Sequence, residues 1–95
     1  MIAEIGILHV TPGEEGEFEA GFAQARHIAE GAAGCNKVEL RRCLDKPSDY
    51  ALIVLWDSVD HHVDFTRTES FQTFLRHIDG FMAEPGAVFH YGEPL

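Results

Sequence analysis

The sequence predicts an α+β fold in which four strands form one antiparallel sheet and the helices gather on one of its faces. Three observations carry this. Residues 3–10 and 50–56 are apolar on both alternating faces, as interior strands are. Apolar residues recur at helical spacing after the first of these runs and again after the second. Turn chemistry separates the segments at 45–49 and 84–86.

Taken in order, the first strand carries Ile5, Ile7 and His9 on one side and Gly6, Leu8 and Val10 on the other. Thr11-Pro12-Gly13-Glu14 has the form of a capping box, with Pro12 at the first helical position. Glu15 and Glu17 then favour the positive end of the helix dipole. Phe18, Phe22, Ala25, Ile28, Ala29 and Ala32 make the helix's apolar stripe, and Gly31 and Gly34 end it. Residues 35–43 are extended, with Val38 and Leu40 on one face and Lys37, Glu39 and Arg41 on the other. A turn around Pro47 joins them, as a hairpin, to the central run from 50 to 56. Asp57 or Ser58 caps a short helix carrying Val59, His62, Val63 and Phe65. Thr68 caps a second, with Phe71, Phe74, Leu75 and Ile78 inward. Glu84-Pro85-Gly86 reads as a turn before a last strand over residues 87–91. Strand, helix, strand, strand, helix pair, strand (β-α-β-β-α-α-β) is the split βαβ, ferredoxin-like arrangement. Helices can cover only one face of such a sheet, yet strands one and three are apolar on both. The open face should therefore bury against a second copy, giving a homodimer packed sheet against sheet.

Ninety-five residues, 45% of them hydrophobic, make one domain over 1–95. The net charge of −9 repels phosphate backbones and anionic lipid, so neither nucleic acid nor a membrane is an expected partner. No apolar run approaches the ~20 residues of a membrane span, and no signal peptide is visible, so a cytoplasmic location is expected. Cys35 and Cys43 lie on one extended segment, roughly 26 Å apart at strand rise, and cannot bridge.

The stretch from Tyr50 to Leu75 holds the chemistry. A buried strand ends in Trp56-Asp57-Ser58 and turns at once into a helix bearing His61 and His62. Adjacent helical residues point about 100° apart, so the histidine pair does not converge on a metal, and none is expected. Trp56 offers a wide π face for a planar ligand, or else simply closes the sheet edge. His9, His62 and His90 are the titratable candidates, since a histidine near pKa ~6.5 can move the proton of a phenol or enol. First and last strands are neighbours in this fold, so His9 and His90 are placed to approach each other. The alternative for each is a partly buried ring bonded to backbone or carboxylate.

The element order, the Gly34-Cys35 start of strand two, the Trp56-Asp57-Ser58 strand end and the Thr68-x-x-Phe71-Gln72-x-Phe74 segment resemble the antibiotic biosynthesis monooxygenase family over almost the whole chain. That resemblance implies a dimeric α+β barrel and cofactor-free oxidation of polycyclic or quinol-like aromatics in a pocket between sheet and helices. It implies no cofactor. Haem-degrading proteins of the same fold carry an asparagine, a tryptophan and a histidine where this chain has Gly6, Phe65 and Leu75. Leu75 cannot ligate iron, so haem degradation is disfavoured. On this reading His62, His9 and Trp56 are the candidate catalytic residues, and Phe22, Tyr50, Phe65, Phe74 and His90 the candidate substrate contacts. The alternative is a non-catalytic dimeric small-ligand-binding or stress-response protein of the same fold.

Overall fold

A computed structural model describes residues 1–95. Its elements are β1 (Ile2–Val10), α1 (Glu15–Glu30), β2 (Cys35–Arg42), β3 (Asp49–Trp56), α2 (Val59–Thr66), α3 (Glu69–Arg76), a 3-10 turn (Asp79–Phe81) and β4 (Met82–Tyr91). The sheet is fully antiparallel in the order β2-β3-β1-β4, and the expected ferredoxin-like α+β fold is the one observed. β3 and β1 hold the two central places because both are apolar on each face and would be poorly suited to an edge.

Period-two alternation assigns the faces. Glu4, Gly6, Leu8 and Val10 of β1 and Tyr50, Leu52, Val54 and Trp56 of β3 turn toward the helices, and all but Leu8 are buried. Against them pack Phe18, Phe22, Ala25 and Ala29 of α1, Phe65 of α2, Phe74 of α3 and Ile78. Phe18, fully buried, sits 4.8 Å from the Tyr50 ring and 6.2 Å from Phe81, centroid to centroid, and anchors α1 to the sheet. The opposite face presents Ile5, Ile7, Ala51, Ile53 and Leu55, all partly exposed, with Phe89 and Tyr91 of β4 beside them at 55% and 56% exposure.

Both short helices start where the sequence places caps. Ser58 Oγ accepts from the His61 amide and Thr68 Oγ1 from the Phe71 amide. The first helix differs. No side chain caps it, α1 begins at Glu15, and Pro12 lies outside it. The Thr11 hydroxyl donates instead to the Phe81 carbonyl, while Glu15 Oε1 accepts from the Gly13 amide. Thr11 is drawn away because its own amide also bonds Phe81, tying the end of β1 to the start of β4. The last strand is longer than the sequence suggests. Residues 84–86 lie within β4, where the pairing with β1 shifts register between Ile7 and His9 and again before Val10. Only glycine fits at 86, since a Cβ there would stand 2.0 Å from the Ile7 carbonyl oxygen.

Candidate active site

The corner where β3 gives way to α2 assembles one polar cluster from four elements. Trp56, the last residue of β3, is 1% exposed, and its indole Nε1–H donates to Glu4 Oε1 at 2.9 Å. Pairing sets Ile2 opposite Trp56 and Val54 opposite Glu4, so Glu4 lies one diagonal step from the indole on the same face. His90 of β4 is the direct partner of Glu4 on its other side. From above, α2 lowers the His62 ring onto Trp56, stacked at 5.4 Å between centroids and 24° between planes. His62 Nε2 stands 3.3 Å from Glu4 Oε1, and its Nδ1 lies 2.7 Å from His90 Nε2.

The protons follow from these partners. A carboxylate ion only accepts, so the nitrogen facing it, His62 Nε2, carries the hydrogen. The neutral ring then accepts at Nδ1, and His90 Nε2–H is the donor. Burial pushes the His62 pKa down from its ordinary value; the Glu4 charge opposes this and His90 adds to it. His62 is therefore the neutral base form at pH 7. A buried carboxylate is costly unless its lone pairs are met; at 7% exposure Glu4 has Oε1 held by the indole N–H, with His62 Nε2 3.3 Å from the same oxygen.

Beside the cluster, between sheet and helices, lies a cavity of about 280 Å³. Its walls are Gly6, Leu8, Ala29, Leu52, Val54, Phe65, Phe71, Phe74, Leu75, Ile78 and Val88, and its polar members are Glu4, Trp56, His62 and Thr66. Phe65 forms the wall next to Trp56, at 5.8 Å, and is braced edge-on by Phe71 and Phe74. An apolar chamber with a few polar groups is the general form of a small-molecule site.

Three comparisons with known proteins agree with this architecture. Residues 1–77 match the sequence profile of the antibiotic biosynthesis monooxygenase family. The chain belongs to that family. The uncharacterized protein YczJ of Bacillus subtilis is 34% identical over 70 residues, 74% of each chain. A Bordetella bronchiseptica protein provisionally designated an antibiotic biosynthesis monooxygenase superposes with a TM-score of 0.94 at 42% identity, over 99% of this chain and 97% of its own. SnoaB of Streptomyces nogalater, a cofactor-independent oxygenase, shares the fold at a TM-score of 0.84 and 18% identity, over 99% and 93% of the two chains.

Within this family member the residues singled out from sequence divide into three groups. Trp56, His62, Phe65, Phe74 and His90 come together, the first four as cavity walls and His90 through its bond to His62. Phe22 stands behind the wall, edge-on to Phe74 at 6.4 Å, and with Tyr50 lines a different depression that includes Glu19, Arg26, Leu40 and Arg42. There the Tyr50 hydroxyl donates to Glu19 Oε2, and burial together with that bond pushes the phenol pKa up. His9 lies on the open sheet face, 2.9 Å from Asp49 Oδ1 and 3.8 Å from Glu84 Oε1. The expected approach of His9 to His90 does not occur, because antiparallel register pairs His90 with Glu4 and His9 with Glu84. Glu4 was not among the sequence candidates. Its signal was present: a lone carboxylate on the strand face otherwise held by Gly6, Leu8 and Val10.

No helix is long and apolar enough to cross a membrane. No group of three His, Cys, Asp or Glu side chains is arranged to hold a metal ion.

Proposed function

We propose that this chain is a cofactor-independent monooxygenase that oxidises a small polycyclic or quinol-like aromatic held in the cavity between sheet and helices. The observation that carries the reading is the cavity's polarity. One end is a polar Glu4–His62–His90 chain, Glu4 Oε1 3.3 Å from His62 Nε2 and His62 hydrogen-bonded to His90, and the rest is aliphatic and aromatic wall. Family membership supports the reaction class, and the description of SnoaB supports the absence of a cofactor.

An electron-rich ring deprotonated beside Glu4 and His62 supplies the electrons for dioxygen itself. A CH₂ flanked by aromatic rings loses a proton to the Glu4 carboxylate, the carbanion and O₂ combine as a peroxide, and the peroxide, protonated in turn, loses water to leave a carbonyl. The sum is R₂CH₂ + O₂ → R₂C=O + H₂O. The donors of the histidine chain all point inward, from exposed His90 through His62 to Glu4, so the chain is set to deliver the proton that releases water. Trp56, walled off by His62 on one face, holds the imidazole in plane and Glu4 in place.

The working form in this proposal is a homodimer joined through the open sheet face. Ile5, Ile7, Ile53, Leu55, Phe89 and Tyr91 form an apolar surface there that a monomer would leave to water. Oxygen uptake with anthrone and hydroquinone panels tests the activity, and sedimentation tests the assembly. Uptake stoichiometric with carbonyl product, abolished by His62→Phe, is the expected result. A protein that binds these aromatics without consuming oxygen is instead a ligand-binding member of the family, and a stable monomer at micromolar concentration refutes the dimer.

A further inference from the structure

Hydrogen-bond accounting at the cavity's polar end limits what the cavity can hold. The Trp56 indole N–H is spent on Glu4 Oε1. Both His62 nitrogens are engaged, Nε2 against Oε1 and Nδ1 with His90. The Thr66 hydroxyl hydrogen goes to the Val63 carbonyl at 2.6 Å. The indole and hydroxyl hydrogens on the cavity lining are therefore already bonded, and the His62 Nε2–H is turned to Glu4 Oε1 at 3.3 Å. What is left is acceptor capacity: Glu4 Oε2 and the remaining lone pair of Thr66 Oγ1. No buried side-chain polar atom in the molecule lacks a partner, so Oε2, which makes no bond within the protein, is open to an incoming group, and Glu4 lines the cavity. No lysine or arginine lines it to neutralise an anion.

We propose that Glu4 makes this cavity selective for neutral aromatic ligands that bring a hydroxyl donor, and that it disfavours carbonyl and carboxylate analogues of the same shape. The proposal rests on the reading of the cavity as the ligand site and adds the residue that chooses the ligand. A phenolic O–H donates to Oε2, forming a bond to a charged acceptor in an apolar-walled cavity. A quinone carbonyl in the same place sets acceptor against acceptor, and a carboxylate sets charge against charge. His90 acts as a positioning residue. Its Nε2–H occupies His62 Nδ1 and so keeps the other imidazole hydrogen on the side of Glu4.

The test is anaerobic calorimetric titration with 2-naphthol, 1,4-naphthoquinone and 2-naphthoate, on the unmodified protein and on Glu4→Gln. The unmodified protein is expected to bind naphthol about 10- to 100-fold more tightly than the quinone, the range of a hydrogen bond to a charged group, and the carboxylate most weakly. In Glu4→Gln the amide oxygen must stay on the indole and imidazole side, which turns its NH₂ toward the cavity and replaces an acceptor by donors. The preference should then invert, with the quinone bound more tightly than naphthol. Equal affinities for naphthol and quinone, an unchanged ranking in Glu4→Gln, or no binding of any of the three overturns the proposal. Because no oxygen is present, these outcomes are independent of turnover. The donor ranking without oxygen uptake under air would remove the monooxygenase reading and leave this one standing.

Discussion

Replacing Trp56 by phenylalanine tests the physical centre of the site. The substitution removes the indole N–H that satisfies Glu4 at 2.9 Å, leaving a carboxylate of 7% exposure with only the longer contact from His62. A hydrogen bond to a buried charge contributes roughly 1.5–3 kcal/mol. The smaller ring also leaves a void at a residue of 1% exposure, between His62 and Phe65, at a cost of about 1–2 kcal/mol. The sum, about 2.5–5 kcal/mol, is a large part of the roughly 5–15 kcal/mol that holds a domain of this size together. Trp56 is the only tryptophan, so unfolding in urea should be followed by far-ultraviolet circular dichroism at fixed protein concentration. A cycle with Glu4→Leu isolates the bond. The double variant should be less unstable than the sum of the two single variants by about 1.5–3 kcal/mol. Additive costs, or a Trp56→Phe variant within ~1 kcal/mol of the parent, would show that the indole–carboxylate bond does not hold this corner.

Two further outcomes follow from the same geometry. The His62 pKa is lower in the folded protein than in the unfolded chain, so its contribution is fully present above the unfolded value near ~6.5 and is lost as pH falls toward the folded value. Urea midpoints should therefore drop between pH 7.5 and 5.5 more steeply in the parent than in His62→Gln, and parallel profiles would contradict this. Gly34→Ala combines a backbone φ of +79° with a Cβ 2.4 Å from the His61 ring. The left-handed backbone alone costs about 1–2 kcal/mol, and the His61 ring must leave Ser58 Oγ, 2.8 Å away, to make room. A thermal midpoint unchanged from the parent would refute the reading of that loop.

Much of the fold could be read without coordinates. Ser58 and Thr68 cap their helices because an extended Ser or Thr before an apolar helical pattern needs nothing from elsewhere in the chain. Thr11 had the same credentials and failed, since a carbonyl seventy residues away, on Phe81, took its hydroxyl. The segment at 84–86 has turn composition, yet the pairing of β4 with β1 absorbs it as a bulge. Local chemistry governs where no distant group competes.

The site divides along the same line. Trp56 and His62 are six residues apart across a strand-to-helix switch, so their meeting follows from local geometry and was legible. Phe65 and Phe74 follow from helical periodicity. Strand alternation likewise assigned His9 and Gly6 to opposite faces, but it could not say which residue of β4 stands beside which residue of β1. Only the assembled sheet put His90 across from Glu4 and left His9 beside Asp49 and Glu84 on the other surface. It also gave the lone carboxylate of β1 its meaning. In the sequence Glu4 is one acid among sixteen Asp and Glu residues; in the fold it is buried where an indole from β3 and an imidazole from α2 converge on one of its oxygens. The order of elements and their inward faces are set by patterns a few residues long. Which polar groups meet inside is decided by strand register and helix placement, and those depend on the packing of the whole core.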